Sequence, residues 1–215
     1  MTRWGFVSDV HGNRPALEQA IAACRARGAE RFVALGDLLG RGDSAACVRI
    51  VRATVSLSVV GNRDLDWADR VDPDTRAYVL SLPRMAQASD FAAVHGDARL
   101  TPELSTADLR RGFVRAYRWL AAHQRRLLFF GHSHQIRTWR KTGLEAEPEP
   151  CPAGRLSLSR EPGVVYLVNV GTTGLPFPGK GPPGCAVYDD QADWLEHLVL
   201  GPGRGKLVEA GAGAG

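Results

Sequence analysis

The sequence predicts an α/β fold, and three observations predict it. Short apolar runs of four or five residues alternate with stretches of helical period, which is how strands and helices alternate along an α/β chain. Most of the early runs end at once in Gly, Asp or His, residues suited to a sharp turn at the end of a strand. The 215 residues are 44% hydrophobic and 23% charged, a balance that excludes a disordered, collagenous or coiled-coil chain. A chain of this length buries roughly 70% of its unfolded surface, enough for one core.

Residues 4–8 (WGFVS) read as a buried strand. Residues 15–27 read as a helix, because Leu17, Ala20, Ile21 and Cys24 share one face at three- and four-residue spacing. A second strand is expected at 31–35, a short helix at 45–52 and a third strand at 56–60. Further strands follow at 91–94 and 127–130. Between them a helix from about 107 to 122 carries Leu109, Phe113, Tyr117 and Leu120 on one stripe. After His134 the texture changes. Residues 138–141, 164–168, 185–188 and 195–200 read as strands separated by turns, which predicts a second, largely antiparallel sheet. Residues 145–152 and 176–183 are Pro/Gly-rich loops. A single domain is expected over 1–200, with a disordered Gly/Ala tail at 201–215.

No apolar run approaches the length of a membrane span, and the first residues lack the order of a secretory leader. Cys24, Cys47, Cys151 and Cys185 are scattered, with no C-x-x-C pair, so they read as reduced thiols of a cytoplasmic protein.

Charge is unevenly spread. Of 27 basic residues 24 are Arg, and the chain carries +4 overall. The segment 99–141 holds ten basic residues against two acids, a net +8, leaving −4 for the remainder. Part of that basic field is expected to border the functional site and attract an anion. Arg110, Arg111, Arg115 and Arg118 also fit the outer face of an amphipathic helix. A nucleic-acid partner would want aromatic stacking surfaces in a groove. Trp119 and Trp139 suit a core equally well, so nucleic acid is not favoured.

The strand ends carry the chemistry. Asp9 and His11 lie in S-D-V-H-G-N, Asp37 in L-G-D-L-L-G-R-G, Asn62 in V-G-N-R-D, His95 in V-H-G-D, and His132 and His134 in G-H-S-H. The carboxyl ends of neighbouring strands in an open α/β sheet meet at one crevice, so donors distant in sequence can converge. Three oxygen and four imidazole donors suffice for two divalent ions, and the mixture suits Mn²⁺, Fe²⁺, Zn²⁺ or Ni²⁺ better than Mg²⁺ or Cu⁺. His123, at a helix end, and His197, in a late strand, read as surface or packing residues.

These five motifs, D-x-H, G-D, G-N, H and G-H-x-H, resemble in order those of the calcineurin-like metallophosphoesterase superfamily over about residues 3–190. The opening motif and short length look most like its small bacterial and archaeal phosphodiesterase branch. The resemblance implies a four-layer α/β/β/α sandwich of two mixed sheets flanked by helices. It further implies that Asp9, His11 and His134 hold one metal and Asn62, His95 and His132 a second, with Asp37 bridging. Mn²⁺ is the first expectation for both. The implied activity is hydrolysis of a phosphodiester, phosphoanhydride or nucleotide-type phosphate by a hydroxide held between the ions. A small anionic phosphate ester or nucleotide is then the expected substrate, and oligomeric state is left open. The alternatives are a serine/threonine protein-phosphatase-like phosphomonoesterase and a non-catalytic retromer-type scaffold on the same fold.

Two features depart from or extend the pattern. Where the family usually has His in G-N-H-D, a residue implied to serve the leaving group, this chain has Arg63, followed by Asp64. Arginine forks hydrogen bonds onto phosphate oxygens but releases no proton at working pH. Arg63 therefore reads as an electrostatic clamp in an enzyme favouring leaving groups of low pKa; Asp37, Asn62, Arg63 and Asp64 are the candidate catalytic residues. Arg41 matches the phosphate-holding Arg of G-D-x-x-D-R-G in the protein-phosphatase-like branch, although Gly40 replaces the Asp. Asn13 is a further candidate for substrate binding, or a cap for the helix that follows it.

Overall fold

The computed structural model describes residues 2–97, 99–101, 104, 109–176, 178–201 and 207–208. Its chain begins as a βαβαβ unit. Strands β1 (Arg3–Val7), β2 (Arg31–Ala34) and β3 (Leu57–Ser58) run parallel. Helices α1 (Arg14–Ala26) and α2 (Ser44–Thr54) join them. Asn13 caps α1 by accepting from Ala16 N at 3.2 Å, and Asp43 caps α2 by accepting from Ala46 N at 2.9 Å, each satisfying a first-turn donor that the helix itself leaves unpaired.

A short helix α3 (Asn62–Asp66), a single 3₁₀ turn (Ala68–Arg70) and helix α4 (Pro73–Ser81) lead to the second sheet. There β4 (Met85–Ala88) pairs antiparallel with β5 (Phe91–Val94), and β5 runs parallel to β6 (Leu127–Phe130). Helix α5 (Leu109–Ala122) lies between β5 and β6 in sequence. Beyond β6 come β7 (Ile136–Thr142), β8 (Glu149–Pro150), β9 (Arg155–Ser157), β10 (Val164–Val170), β11 (Gly184–Asp189), β12 (Trp194–Leu200) and β13 (Leu207–Val208). One sheet has the order β13-β12-β11-β1-β2-β3, with β9 also on β12; the other has the order β4-β5-β6-β10-β7-β8.

The expected antiparallel sheet after His134 is thus corrected. Strands β11, β12, β9 and β13 extend the first sheet, because β11 pairs antiparallel with β1, Trp4 opposite Tyr188 and Phe6 opposite Ala186. Strand β10 instead inserts between β6, to which it is parallel, and β7. Both sheets are mixed, and their apolar faces meet. Helix α4 also went unpredicted. Its start signal is present, Asp72 accepting from Thr75 N at 3.0 Å with Pro73 in the first turn, but only Thr75 and Val79 are buried, so no apolar stripe betrays it. The first two residues of the helix expected from 107 and most of the 201–215 tail lie outside the described residues.

Three apolar layers hold the sandwich. Leu17, Ile21 and Cys24 of α1 and Val48 and Val51 of α2 cover one side of the first sheet. Phe113, Ala116 and Leu120 of α5 cover the outer side of the second. Between the sheets, Phe6 stacks on Phe129 with ring centroids 3.7 Å apart, and Phe91 meets Trp4, Phe6 and Phe129 edge-on at 5.2 to 5.5 Å. Such aromatic pairs add about 0.5–1.5 kcal/mol beyond area burial. Among the described residues no helix is long and apolar enough to cross a membrane. Phe129→Ala empties the centre of this layer and is expected to cost about 3–5 kcal/mol; denaturant unfolding measures it, and a loss below about 1 kcal/mol would refute the placement.

Candidate metal centre

Residues that follow β1, β2 and β3 of the first sheet and β6 of the second line one cavity of about 830 Å³, and His95, at the end of β5, packs beneath it against Asn62 and His132. The chain reverses so sharply there that Asp9, His11, Asp37, His132 and His134 all have positive φ, between 51° and 66°. Non-glycine residues in this region cost of order 1–3 kcal/mol each and persist only where surroundings over-determine them. Gly61 is required by close approach: a Cβ there would lie 2.1 Å from Asp37 N and 2.2 Å from Asp37 Oδ1.

All seven predicted donors converge. His134 Nε2 lies 3.1 Å from Asp9 Oδ1, and His11 Nε2 lies 3.4 Å from His134 Nε2 and 3.9 Å from Asp9 Oδ1. Asp37 stands between this group and the next, its Oδ2 3.8 Å from His11 Nε2 and its Oδ1 3.5 Å from His95 Nε2. On the far side Asn62 Oδ1 is 2.9 Å from His95 Nε2 and 3.0 Å from His132 Nδ1.

These contacts fit metal binding on physical grounds. His95 Nδ1 lies 2.8 Å from Leu35 O and His134 Nδ1 2.8 Å from Leu175 O. A carbonyl only accepts, so Nδ1–H donates and Nε2 turns its lone pair inward. Ring nitrogens crowd one another there, His11 Nε2 3.4 Å from His134 Nε2 and His132 Nδ1 3.3 Å from His95 Nε2. Only a proton or a cation between them makes such contacts favourable. Buried Asp9 Oδ1 makes no hydrogen bond of good geometry among the described residues, its nearest ring nitrogen being His134 Nε2 at 3.1 Å, although a buried carboxylate oxygen needs a partner. Asp9, His11 and His134 form one compact donor group and Asp9, Asp37 and His95 another.

Electrostatics push the donors apart in affinity for protons. Burial works to raise Asp9, but the His134 ring beside it and the charges of His95 and His134 override this and hold Asp9 at about 2. Burial lowers His11 to about 4, against the attraction of Asp9, with His134, His95 and Arg63 adding to the fall. Burial raises Asp37 to about 7, opposed by His95 and assisted by Asp9 and Asp64. Burial likewise lowers His132.

Asp64 proves to be a positioning residue. Its fully buried carboxylate accepts four backbone hydrogen bonds, from Asp37 N and Gly61 N on Oδ2 and from Leu38 N and Leu39 N on Oδ1, at 2.8 to 3.0 Å. Both oxygens are spent, and Asp64 does not line the cavity. Asn13 is also outside it: Oδ1 caps α1 and Nδ2 donates to Gly174 O at 2.9 Å. The expectation that these two act on substrate is corrected by those commitments. Arg63 lines the cavity, its backbone N donating to Asp37 Oδ1 at 2.7 Å while its exposed guanidinium is without an ion pair among the described residues. Arg41 lines it as well.

The described part of the basic field of segment 99–141 does not border the cavity. Among the described residues, none of its Arg or Lys side chains lines it. Arg126 is tied to Asp90 and Asp193, Arg140 to Glu149 and Glu161, and Arg99 to Asp97 and Asp66. Buried Lys141 donates to the carbonyls of Leu144 and Ala146. Trp139 packs with Phe130 and lines the cavity, whereas Trp119 stacks on exposed His123. His197 is buried, its Nε2 2.9 Å from Thr138 Oγ1.

Three further lining residues were missed: Asn169, Ser133 and Lys180. Asn169 Nδ2 donates to Ser133 Oγ at 2.5 Å and its Oδ1 accepts from Gly171 N at 3.0 Å. Its signal was legible, since N-V-G closes an apolar run as the other motifs do. Lys180, in a Pro/Gly-rich loop, carries no such signal.

A family model of the calcineurin-like phosphoesterase superfamily domain matches residues 2–193. The chain belongs to this superfamily. Its members are generally metal-dependent phosphoesterases, and the mixed sheets and helices described above match the superfamily's fold. The metallophosphoesterase of Sphaerobacter thermophilus has a similar structure, with TM-score 0.74, 22% identity and coverage of 93% of this chain and 88% of that one. Vps29 of Entamoeba histolytica complexed with Zn²⁺ aligns with TM-score 0.55 and 16% identity over 96% of this chain and 97% of its own. Among curated proteins, the uncharacterized protein MJ0912 of Methanocaldococcus jannaschii is 39% identical over 59 residues, which span 27% of this chain and 24% of that relative's length.

Asp64→Asn replaces an acceptor by an amide donor facing backbone N–H groups. It is expected to weaken divalent-metal affinity about 10–100-fold, the usual cost of removing a partner that orients ligands. Mn²⁺ titration of the purified variant measures this, and unchanged affinity would show that Asp64 does not position Asp37.

Proposed function

We propose that this chain is a dinuclear metal-dependent phosphoesterase that hydrolyses a phosphodiester, phosphoanhydride or nucleotide-type phosphate. The observation that carries the reading is the convergence of seven donors from both sheets, with the two oxygens of Asp37 turned toward different neighbours. Asp9, His11 and His134 with Asp37 would hold one ion, and Asp37, Asn62, His95 and His132 the other. Three oxygen and four nitrogen donors favour Mn²⁺, with Fe²⁺, Zn²⁺ or Ni²⁺ as substitutes. When bound, such a pair activates water at neutral pH and neutralises phosphoryl charge.

The chain's own residues do the rest. The carbonyls of Leu35 and Leu175 keep His95 and His134 in one tautomer. The Arg63 backbone N–H holds Asp37 in place, while the Arg63 side chain forks onto oxygens of the phosphate attacked and Arg41 supplies a second anion-binding group in the same cavity. Apart from the proposed ligands, the described residues that line the cavity include no carboxyl, imidazole, thiol or phenol. Leaving groups of low pKa, which depart without a proton, are therefore favoured. Four free cysteines are consistent with a reducing cytoplasmic setting.

The protein-phosphatase-like alternative is disfavoured by the backbone. Gly40 stands where that branch has Asp, and a Cβ there would meet His11 O at 2.2 Å. The scaffold alternative is separated by turnover rather than by the donors, since Vps29 of Entamoeba histolytica is itself complexed with Zn²⁺.

Bis(p-nitrophenyl) phosphate should be turned over with added Mn²⁺, and neither EDTA-treated protein nor Asp37→Ala should retain that activity. Turnover that survives both treatments would overturn the metal-dependent reading. Arg63→Ala should lower kcat/KM on aryl substrates about 10²–10³-fold, as does loss of one preorganised charge-stabilising donor. Comparable rates on alkyl and aryl phosphates, unaltered in Arg63→His, would remove Arg63 from the account.

A further inference from the structure

Three cations face the cavity from three separate segments. Arg41 lies in the turn between β2 and α2, Arg63 in α3 and Lys180 in the loop between β10 and β11. All three are exposed, and among the described residues none makes an ion pair or side-chain hydrogen bond. Among the described residues the sole carboxylate lining the cavity is Asp37. The placement is fixed by the fold. The backbone at Gly40 presses against His11 O, which seats Arg41 beside the first donor group. Leu175 O receives His134 Nδ1, which ties the loop carrying Lys180 to the same group.

One phosphate does not call for this charge. A phosphodiester carries a single negative charge, and the Arg63 guanidinium alone can fork onto two of its oxygens. Arg41 and Lys180 are left without counter-charge, and 830 Å³ is far more room than one phosphate fills. Resting on the phosphoesterase reading above, we propose that the substrate carries a chain of two or more phosphates, with Arg41 and Lys180 holding the phosphate beyond the one attacked. Hydrolysis of such an anhydride forms one P–O bond to water oxygen and breaks the bridging P–O bond. The bridging oxygen leaves on the second phosphate as an anion, and the proton of water passes to solvent. No side-chain acid is needed, in keeping with a cavity whose described lining offers none outside the proposed ligands.

Equilibrium binding to metal-free protein tests the charge site without chelation. Tripolyphosphate is expected to bind at least ~10-fold more tightly than orthophosphate, with a preference that shrinks as salt screens it. Arg41→Ala and Lys180→Ala should each reduce that ratio severalfold, while Arg115→Ala, on the exposed face of α5 away from the cavity, should not. Equal affinity for the two anions, or an equal fall in Arg115→Ala, would overturn the proposal. ATP in place of tripolyphosphate separates the sources: tighter binding assigns a nucleoside-borne chain resting on Trp67 and Trp139, and weaker binding a bare one. With Mn²⁺ restored, failure to turn over bis(p-nitrophenyl) phosphate while the ratio persists would overturn the catalytic reading and leave an oligophosphate-binding site.

Discussion

The Asp64 carboxylate accepts four backbone hydrogen bonds from two loops that are distant in sequence. Those loops follow neighbouring strands of one sheet, and each presents a donor to the cavity, Asp37 from one and Asn62 from the other. Taking a carboxylate fully out of water is costly unless its lone pairs are satisfied, and here backbone N–H groups satisfy them all. The same bonds define the turn that gives Asp37 a positive φ and set α3 so that its Arg63 N–H reaches Asp37 Oδ1. Asp37 in turn stands between His11 and His95, 3.8 Å from one and 3.5 Å from the other, so Asp64 sets the geometry at the middle of the centre.

From this constraint follows a division of labour between core and rim. The aromatic layer of Phe6, Phe91 and Phe129 fixes the spacing of the sheets, and therefore the distance between strand ends that belong to different sheets. Lone pairs and carboxylates are concentrated at those ends, where they repel unless cations intervene. The rim is positive instead, through Arg41, Arg63 and Lys180. Bulk charge is a poor guide to this arrangement. Arginines of the basic stretch are tied to acids from outside it, Arg126 to Asp90 and Asp193 and Arg140 to Glu149 and Glu161, while the described cations at the cavity come from the part of the chain that is acidic on balance.

The local patterns that were legible are those with a short-range cause. Apolar runs of β1, β2, β5 and β6 ending in Asp or His announce both a strand and a donor, and α1 shows its buried face in Leu17, Ile21 and Cys24. Helix α4 has a cap and a proline but no stripe, so its existence depends on packing against α2 that no window of sequence contains. Asn13 was ambiguous between cap and substrate ligand because an amide serves either, and only the location of Gly174 O settles its second hydrogen bond.

The sequence by itself determined the donor inventory and its chemistry, three oxygens and four imidazoles at strand ends, because turn residues and strand period are local properties. It also determined that Arg63 cannot release a proton, a property of the guanidinium alone. Only the tertiary structure decided that β11 joins β1 while β10 joins β6, which donors share a group, that Asp64 holds rather than reacts, and that Lys180 reaches the cavity. Each of these depends on pairing between segments far apart in the chain, and that pairing is set by how two whole sheets bury their faces.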